Sequence, residues 1–149
     1  MSERTLIIIK PDGVQRRLVG EIIGRFEKKG MKIVGAKFFK IGRELAERHY
    51  SVHIGKVFFE RAVNYLCDSP VLLMILQGEG VIDSARKMMG ETFGFESQPG
   101  TIRADFSLSR VYNILHGSDS AESAVREIEL YFRPEEIFDY KIVEEKWVS

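Results

Sequence analysis

The apolar residues of the chain recur with two different spacings, and each spacing predicts one kind of element. Short runs rich in β-branched and aromatic residues predict β-strands at residues 5–9, 31–39 and 71–76. Apolar residues three to four positions apart predict helices at residues 44–50, 57–66, 81–89 and 121–132. A further amphipathic helix, which ends at Gly30, has on its apolar face Val14, Leu18, Ile22, Ile23 and Phe26.

Two segments interrupt this periodicity. The motif KPDG at residues 10–13 predicts a turn after the first strand. Residues 90–106 contain glycines, a proline and no sustained period, so we predict a long loop, which in a compact domain is usually functional or forms an interface. A last short strand is predicted to carry His116. The resulting order, βαββαβ with extra helices, predicts an α+β sandwich whose antiparallel four-stranded sheet is covered by helices.

Composition limits the classes of protein to consider. The 149 residues are 44% hydrophobic, which is enough for one domain over residues 1–149 that buries roughly 70% of its unfolded surface. The formal net charge is zero, so nucleic acid is not expected as the principal partner. Cys67 is the only cysteine, no signal peptide begins the chain, and the longest apolar run is too short for a membrane span. We expect a cytoplasmic protein without membrane contact.

The segment NILHGSDS at residues 113–120 is the strongest candidate for chemistry. It places His116 before the predicted helix 121–132, where unpaired amides and the helix dipole favour an anion. Asp119 and Glu122 fit a capping box at the start of that helix, and Gly117 allows close approach of the backbone to a phosphate. We predict that Glu127, further along the helix, orients the imidazole and fixes its tautomer.

Four further residues are candidates for binding phosphate. Arg86 precedes the long loop, Thr92 lies within it, Arg103 is near its end, and Lys10 follows the first strand. Guanidinium groups pair with phosphate oxygens in bidentate geometry, whereas lysine acts as a point charge. Any one of them alone could be an ordinary surface residue. The hypothesis of a phosphate site therefore requires that they converge in space.

Three other kinds of site receive less support. His49 and His53 have the spacing of a helical zinc pair but no glutamate between them, so we interpret both as surface residues and predict no metal site. Gly78 and Gly80 follow a strand, but Asp83 stands where a dinucleotide-binding motif has its third glycine. His116, Ser118 and Asp119 are the residue types of a hydrolase triad, but they are too close in sequence to align as one.

Together these motifs resemble the nucleoside diphosphate kinase family. The resemblance rests on KPDGVQRRLVGEII, the pair Phe58 and Phe59, GETFGFESQPGTIRADF and NILHGSDS with the following AESAVREI. It implies a ferredoxin-like fold and an enzyme that passes the γ-phosphoryl of a nucleoside triphosphate, mainly ATP, to a nucleoside diphosphate. The intermediate implied is a phosphohistidine at His116, formed in a ping-pong mechanism with broad base specificity.

The resemblance also implies roles for individual residues. Phe58 would stack on the base, while Arg86, Thr92 and Arg103 would bind phosphates. Lys10 and Asn113 would bond the sugar hydroxyls, and Lys10 would also reach phosphate. Tyr50 would frame the site, Ser118 would bond Glu127, and Asp119 would support the backbone around His116. Mg²⁺ would arrive with the nucleotide.

Assembly is expected from the same resemblance and from apolar residues outside the core. The tail carries Tyr140, Ile142, Val143 and Trp147, and a tail of this length is similar to those of hexameric members. Gly94 stands where relatives usually have proline, which predicts a looser subunit contact; Val111, Tyr112 and Ala104 also depart from the family pattern. We predict a homohexamer.

The alternative function is that of a nucleotide-binding module without transfer activity, against which His116 and Glu127 argue.

Overall fold

The computed structural model describes residues 2–148. Its strands are β1 (Ser2–Ile9), β2 (Lys32–Phe39), β3 (Val71–Glu79) and β4 (Leu115–Gly117). Its helices are α1 (Pro11–Gln15), α2 (Val19–Lys29), α3 (Arg43–His49), α4 (Phe59–Leu66), α5 (Val81–Met89), α6 (Ile102–Phe106), α7 (Ala121–Tyr131) and α8 (Glu145–Val148). Short 3₁₀ turns lie at Ser51–His53, Gly94–Glu96 and Pro134–Glu136. No helix in this part of the chain combines the length and apolar character that a membrane crossing requires.

The four strands form one sheet in the order β2-β3-β1-β4, and every neighbouring pair is antiparallel. The predicted α+β ferredoxin-like sandwich is therefore confirmed. Successive residues of β1 face opposite sides of the sheet. Ile7 and Ile9 join a core with α2 and α5, whereas Leu6 and Ile8 join a second core with α4 and α7. Each face of the sheet is thus covered by helices.

The first predicted helix is two helices in the structure. The KPDG segment is not a turn, because Pro11 begins α1, a position where its missing N–H is not needed. The chain breaks between α1 and α2, where Arg17 has a φ of 59°. The predicted long loop was also partly wrong, since residues 90–106 contain a 3₁₀ turn and α6. Thr101 caps α6 by accepting from the amide of Ala104.

The start of α7 also differs from the prediction. Ser120, not Asp119, is the N-cap, and its hydroxyl accepts from the amide of Ser123 at 3.0 Å. The capping box of Asp119 and Glu122 was therefore wrong by one residue. Asp119 still lies close by, and hydrogen bonding from the hydroxyl of Ser123 lowers its pKa although partial burial opposes the shift.

The C-terminal tail returns to the edge strand β2 of its own subunit. The amide of Phe138 donates to the carbonyl oxygen of Val34 at 2.8 Å, and the hydroxyl of Tyr140 donates to that of Ile33 at 2.5 Å. Val143 and Trp147 remain exposed. Contact of the tail with a neighbouring subunit stays a prediction.

Candidate active site

The imidazole ring of His116 is held in place by a hydrogen bond to a neighbouring carboxylate. It lies on β4, paired with Ile8 of β1, and its Nε2 is 2.8 Å from Oε1 of Glu127 on α7. The buried hydroxyl of Ser118 donates to the same Oε1 at 2.7 Å. The predicted contacts of Glu127 with His116 and Ser118 are therefore present in the geometry.

The electrostatic setting decides which imidazole nitrogen is free. Burial raises the pKa of Glu127, but the hydrogen bonds and charge of His116 and the hydroxyl of Ser118 outweigh burial and lower it overall. The carboxylate is therefore ionised near neutral pH and accepts a hydrogen bond from Nε2–H. In the neutral ring Nδ1 then carries the lone pair. The lone pair of Nδ1 is therefore the one that His116 has available for a further bond.

A row of ring contacts runs from His116 to Phe58. The centroid separations are 4.8 Å from His116 to His49, 4.7 Å from His49 to Tyr50, 6.4 Å from Tyr50 to His53, and 5.2 Å from His53 to Phe58. Phe58 directly precedes α4 and is 41% exposed. Burial, together with the charge of Glu127, raises the pKa of Tyr50 to about 12. Phe58 and Tyr50 thus lie on the same side of the site, and Phe58 keeps a solvent-accessible ring.

His49 was predicted to be a surface residue, and that prediction was wrong. Its side chain is buried, with 3% exposure, and its Nδ1 lies 2.9 Å from the hydroxyl of Tyr131. Burial and, secondarily, the neighbouring His116 hold the pKa of His49 well below its ordinary value. The signal in the sequence was helical spacing, because His49 follows Ala46 by three residues and shares its buried face.

His49, His116 and Glu127 could also present one ligand atom each to a metal ion, all within 4.8 Å of one another. In the structure Nε2 of His116 and Oε1 of Glu127 are paired with each other, and Nδ1 of His49 is paired with Tyr131. These hydrogen bonds involve one ring nitrogen of each histidine and Oε1 of Glu127, whereas Nδ1 of His116 keeps its lone pair. His53 lies apart on the turn after α3 and bonds Lys56.

Lys10 and Asn113 meet near the start of the strand that carries His116. The ammonium of Lys10 donates to Oδ1 of Asn113 at 3.0 Å, and the side-chain amide of Asn113 donates to the carbonyl oxygen of Thr92 at 3.1 Å. Burial, with repulsion from Arg103, lowers the pKa of Lys10 to about 7 despite the opposing attraction of Asp12. A buried ammonium of this kind has lost solvation that phosphate oxygens can replace.

Arg103 makes more hydrogen bonds to the backbone than the sequence predicted. Its guanidinium donates to the carbonyl oxygens of Asn113 at 3.0 Å, Leu115 at 2.5 Å, Glu91 at 3.2 Å and Gly90 at 3.4 Å. A guanidinium has five N–H donors, so within residues 2–148 these bonds leave one for a phosphate. With one donor left, the guanidinium of Arg103 does not have the two free donors that bidentate binding of a phosphate requires, which corrects the expectation from the sequence. Its main role in the structure is to hydrogen-bond the loop to the strand that carries His116.

Arg86 completes the positive charge near the histidine. Its side chain is exposed and donates to the carbonyl oxygen of Gly117, next to His116, at 3.1 Å. Burial, and then repulsion from Arg86, lower the pKa of Arg103 to about 10, so Arg103 remains cationic near neutral pH. The predicted convergence of Lys10, Arg86, Thr92 and Arg103 around residues 113–117 is thus present in the structure.

Comparisons with known proteins agree with this geometry. The sequence profile of the family described as "Nucleoside diphosphate kinase" matches residues 3–137. The chain belongs to the nucleoside diphosphate kinase family. The chain is 51% identical over 146 residues to the nucleoside diphosphate kinase of Listeria monocytogenes serotype 4a, covering 98% of this chain and 99% of the relative. It is 55% identical over 141 residues to that of Pyrococcus furiosus, covering 93% and 88%.

Solved structures of nucleoside diphosphate kinases share the whole fold. The halophilic enzyme of Halobacterium salinarum in complex with CDP has a TM-score of 0.97 at 40% identity, covering 100% of this chain and 99% of that one. The enzyme of Borrelia burgdorferi, in a transition-state mimic with vanadate and ADP, has a TM-score of 0.93 at 33% identity, covering 99% and 98%.

Gly94 departs from the nucleoside diphosphate kinase family pattern, and the packing around it explains why a side chain does not fit at this position. A Cβ added at Gly94 would overlap the carbonyl oxygens of Ser107 and Arg103. Two segments of the loop therefore approach each other at Gly94 more closely than any side chain permits. The interpretation of Gly94 only as a flexible replacement for proline was incomplete.

Proposed function

We propose that this chain transfers the γ-phosphoryl of a nucleoside triphosphate to a nucleoside diphosphate through a phosphohistidine at His116. The observation that carries the proposal is the 2.8 Å contact between Nε2 of His116 and Glu127, which directs the reactive lone pair to Nδ1. In the first half-reaction Nδ1 forms a bond to the γ-phosphorus, and the bond to the β–γ bridging oxygen breaks. The nucleoside diphosphate leaves with that oxygen, and the second half-reaction reverses these steps on another diphosphate.

Glu127 is proposed to stabilise the charge that develops on the ring. When Nδ1 binds phosphorus while Nε2 keeps its proton, the imidazole becomes cationic. The ionised Glu127 and the hydroxyl of Ser118, which hydrogen-bonds to it at 2.7 Å, provide a fixed negative partner for that cation. Both are in place before substrate binds, so their contribution requires little reorganisation.

The cationic groups around residues 113–117 are proposed to align the phosphates. Arg86 presents an accessible guanidinium, Lys10 a buried ammonium and Arg103 its remaining donor; Thr92 and Asn113 add polar groups. Phosphoryl transfer mainly requires such alignment and neutralisation. Mg²⁺ carried by the nucleotide would supply further neutralisation of the phosphate oxygens. It would be held by those oxygens and water, because Glu127, the carboxylate beside His116, is already hydrogen-bonded.

The base is proposed to stack on Phe58. Its ring is 41% exposed and is linked to His116 through the row of ring contacts that includes Tyr50. Every base has a π-face, so stacking favours a broad range of nucleotides. A homohexamer and a cytoplasmic location, both expected from the sequence, remain parts of this proposal.

The experiment that tests the proposal follows the phosphoryl group. The protein is incubated with Mg²⁺ and ATP labelled at the γ-position, separated from nucleotide, and then given GDP. We expect an acid-labile, base-stable label on the protein that passes to GTP. His116→Ala should form no phosphoenzyme, whereas the matched variant His53→Ala should still form it.

Two results would contradict the proposal. Wild-type labelling of His116→Ala would place the phosphoryl group on another residue. Binding of ATP by the wild-type protein without any label or transfer would instead identify a nucleotide-binding module.

A further inference from the structure

Ile114 has a backbone conformation that its residue type disfavours. Its φ is 71°, in the left-handed region, where a β-branched side chain crowds its own backbone. The amide of Leu115 donates to the carbonyl oxygen of Asn113 at 2.7 Å, so residues 113–115 form a tight three-residue turn. This turn begins with Asn113 and directly precedes His116. A strained turn persists only where its surroundings hold it.

Two side chains that are distant in sequence accept from the amides of this turn. The hydroxyl oxygen of Tyr65 accepts from the amides of Asn113 and Ile114, both at 3.2 Å. One carboxylate oxygen of Asp12 accepts from the amide of Ile114 at 3.1 Å, and the other accepts from the Tyr65 hydroxyl at 2.5 Å. Burial and the charge of Asp12 raise the pKa of Tyr65. The hydroxyl therefore keeps its proton, and the two side chains form one hydrogen-bonded unit.

The same unit contacts Lys10, one of the cationic groups proposed to align the phosphates. The ammonium of Lys10 lies over the ring of Tyr65, 4.9 Å from its centroid, and donates to the side chain of Asn113. The amide of Lys10 donates to the carbonyl oxygen of Ile114 at 2.8 Å. Tyr65 itself belongs to α4, which begins directly after Phe58. The helix next to the proposed base platform is thereby tied to the turn before the histidine.

We propose that Asp12 and Tyr65 are positioning residues that hold the turn at residues 113–115 and so fix the orientation of Asn113 and His116. This inference rests on the proposed function, because it assigns a role within the same phosphoryl transfer. Asp12 and Tyr65 act through the backbone of the turn and do not contact the reacting atoms. Loss of the Tyr65 hydroxyl removes an acceptor from two partly buried amides, and the strained turn then relaxes.

The test uses Tyr65→Phe, which keeps the ring beside Lys10 and removes only the hydroxyl. We measure formation of phosphohistidine in a single turnover over a range of ATP concentrations. The rate at saturating ATP should fall at least about tenfold while the half-saturating concentration changes less than about threefold, because small misplacement of a reacting group slows chemistry more than binding. A general loss of structure would not produce this split at full occupancy.

A second variant and a matched control complete the experiment. Asp12→Asn replaces one of the two accepting oxygens by an NH2 group, so either the Tyr65 hydroxyl or the amide of Ile114 loses its acceptor, and a similar loss of rate is expected. The double variant should be no slower than the slower single one, since the two side chains act as a unit. Tyr112→Phe is the control: its ring packs edge-on against Tyr65 with centroids 5.0 Å apart, but its hydroxyl takes no part in holding the turn. This control should keep the wild-type rate.

Each remaining outcome is decisive. A rate for Tyr65→Phe within about twofold of wild type, an effect on half-saturation alone, or additive losses in the double variant would overturn the inference. Thermal unfolding reports whether each variant folds, and if Tyr65→Phe does not fold, Asp12→Asn decides alone. Absence of phosphohistidine in the wild-type protein would contradict the proposed function instead.

Discussion

The imidazole of His49 lies edge-on against the imidazole of His116, with ring centroids 4.8 Å apart and an interplanar angle of 79°. Because His49 is buried and its pKa is held well below the ordinary value of 6.5, it presents an uncharged edge to the proposed nucleophile. A protonated His49 would repel the cationic ring that forms during transfer. The contact therefore gives the His116 ring an uncharged packing partner.

The lowered pKa of His49 predicts a pH dependence of stability. Below pH 6.5 the unfolded chain binds a proton at His49 that the folded chain does not bind, so the free energy of unfolding falls as the pH falls. The slope is at most about 1.4 kcal/mol per pH unit for one such group. We expect His49→Gln, which cannot titrate, to lose less stability than wild type between pH 6.5 and 5.

Urea unfolding at several pH values measures this slope. Glu127 contributes at lower pH, since its pKa is lowered from 4.5 and its stabilisation is lost as the pH falls from about 4.5 through that lowered value. Equal slopes for His49→Gln and wild type between pH 6.5 and 5 would show that His49 does not titrate as predicted.

Phe58 is expected to support every base to a similar extent. Phe58→Ala should weaken binding of ATP, GTP, CTP and UTP by about 1–3 kcal/mol each, the range found for stacking of a base on an aromatic ring. Calorimetric titration of each nucleotide provides the measurement. Phe138→Ala is a suitable control, because this exposed ring lies beside β2, at the opposite edge of the sheet from His116. A loss confined to one nucleotide would reveal recognition of its base edge by another group.

Gly94 is expected to tolerate no side chain. Gly94→Ala should reduce the free energy of unfolding by about 1–3 kcal/mol or more, because a Cβ there overlaps two backbone carbonyl oxygens that cannot move independently. Gly24→Ala in α2 is the matched control, since within residues 2–148 its added Cβ would meet no atom within 4 Å apart from the adjacent residues and the backbone of its own helix. That change should instead stabilise the helix by roughly 0.5–1 kcal/mol. Chemical denaturation compares the two, and equal effects would refute the packing argument.

The assembly is predicted to be a hexamer. Light scattering of the purified protein at micromolar concentration should give the mass of six chains, and deletion of residues 141–149 should promote dissociation. Tyr140 remains in the shortened chain and keeps its hydrogen bond to β2, so the subunit itself should stay folded. A monomeric mass would refute the assembly, and a tetrameric mass would refute the argument from the tail.

The sequence by itself determined most elements and the candidate nucleophile. The helix predicted at residues 81–89 is α5, and the short strand predicted to carry His116 is β4. Periodicity succeeds for such elements because burial of one face imposes a local spacing on the side chains. The motif around His116 also identified Glu127 and Ser118, since both lie within eleven residues of it.

Only the tertiary structure decided how distant side chains share the site. His49 had the spacing of a buried residue, but nothing in its neighbours indicated that it would meet His116. Asp12 and Tyr65 lie in an early motif and a mid-chain helix, yet both bond the turn at residues 113–115. The hydrogen bonds that Arg103 donates to backbone carbonyl oxygens likewise depend on how the loop packs against β4. A local pattern records which face of an element is buried, whereas sheet order and helix packing determine what that face meets.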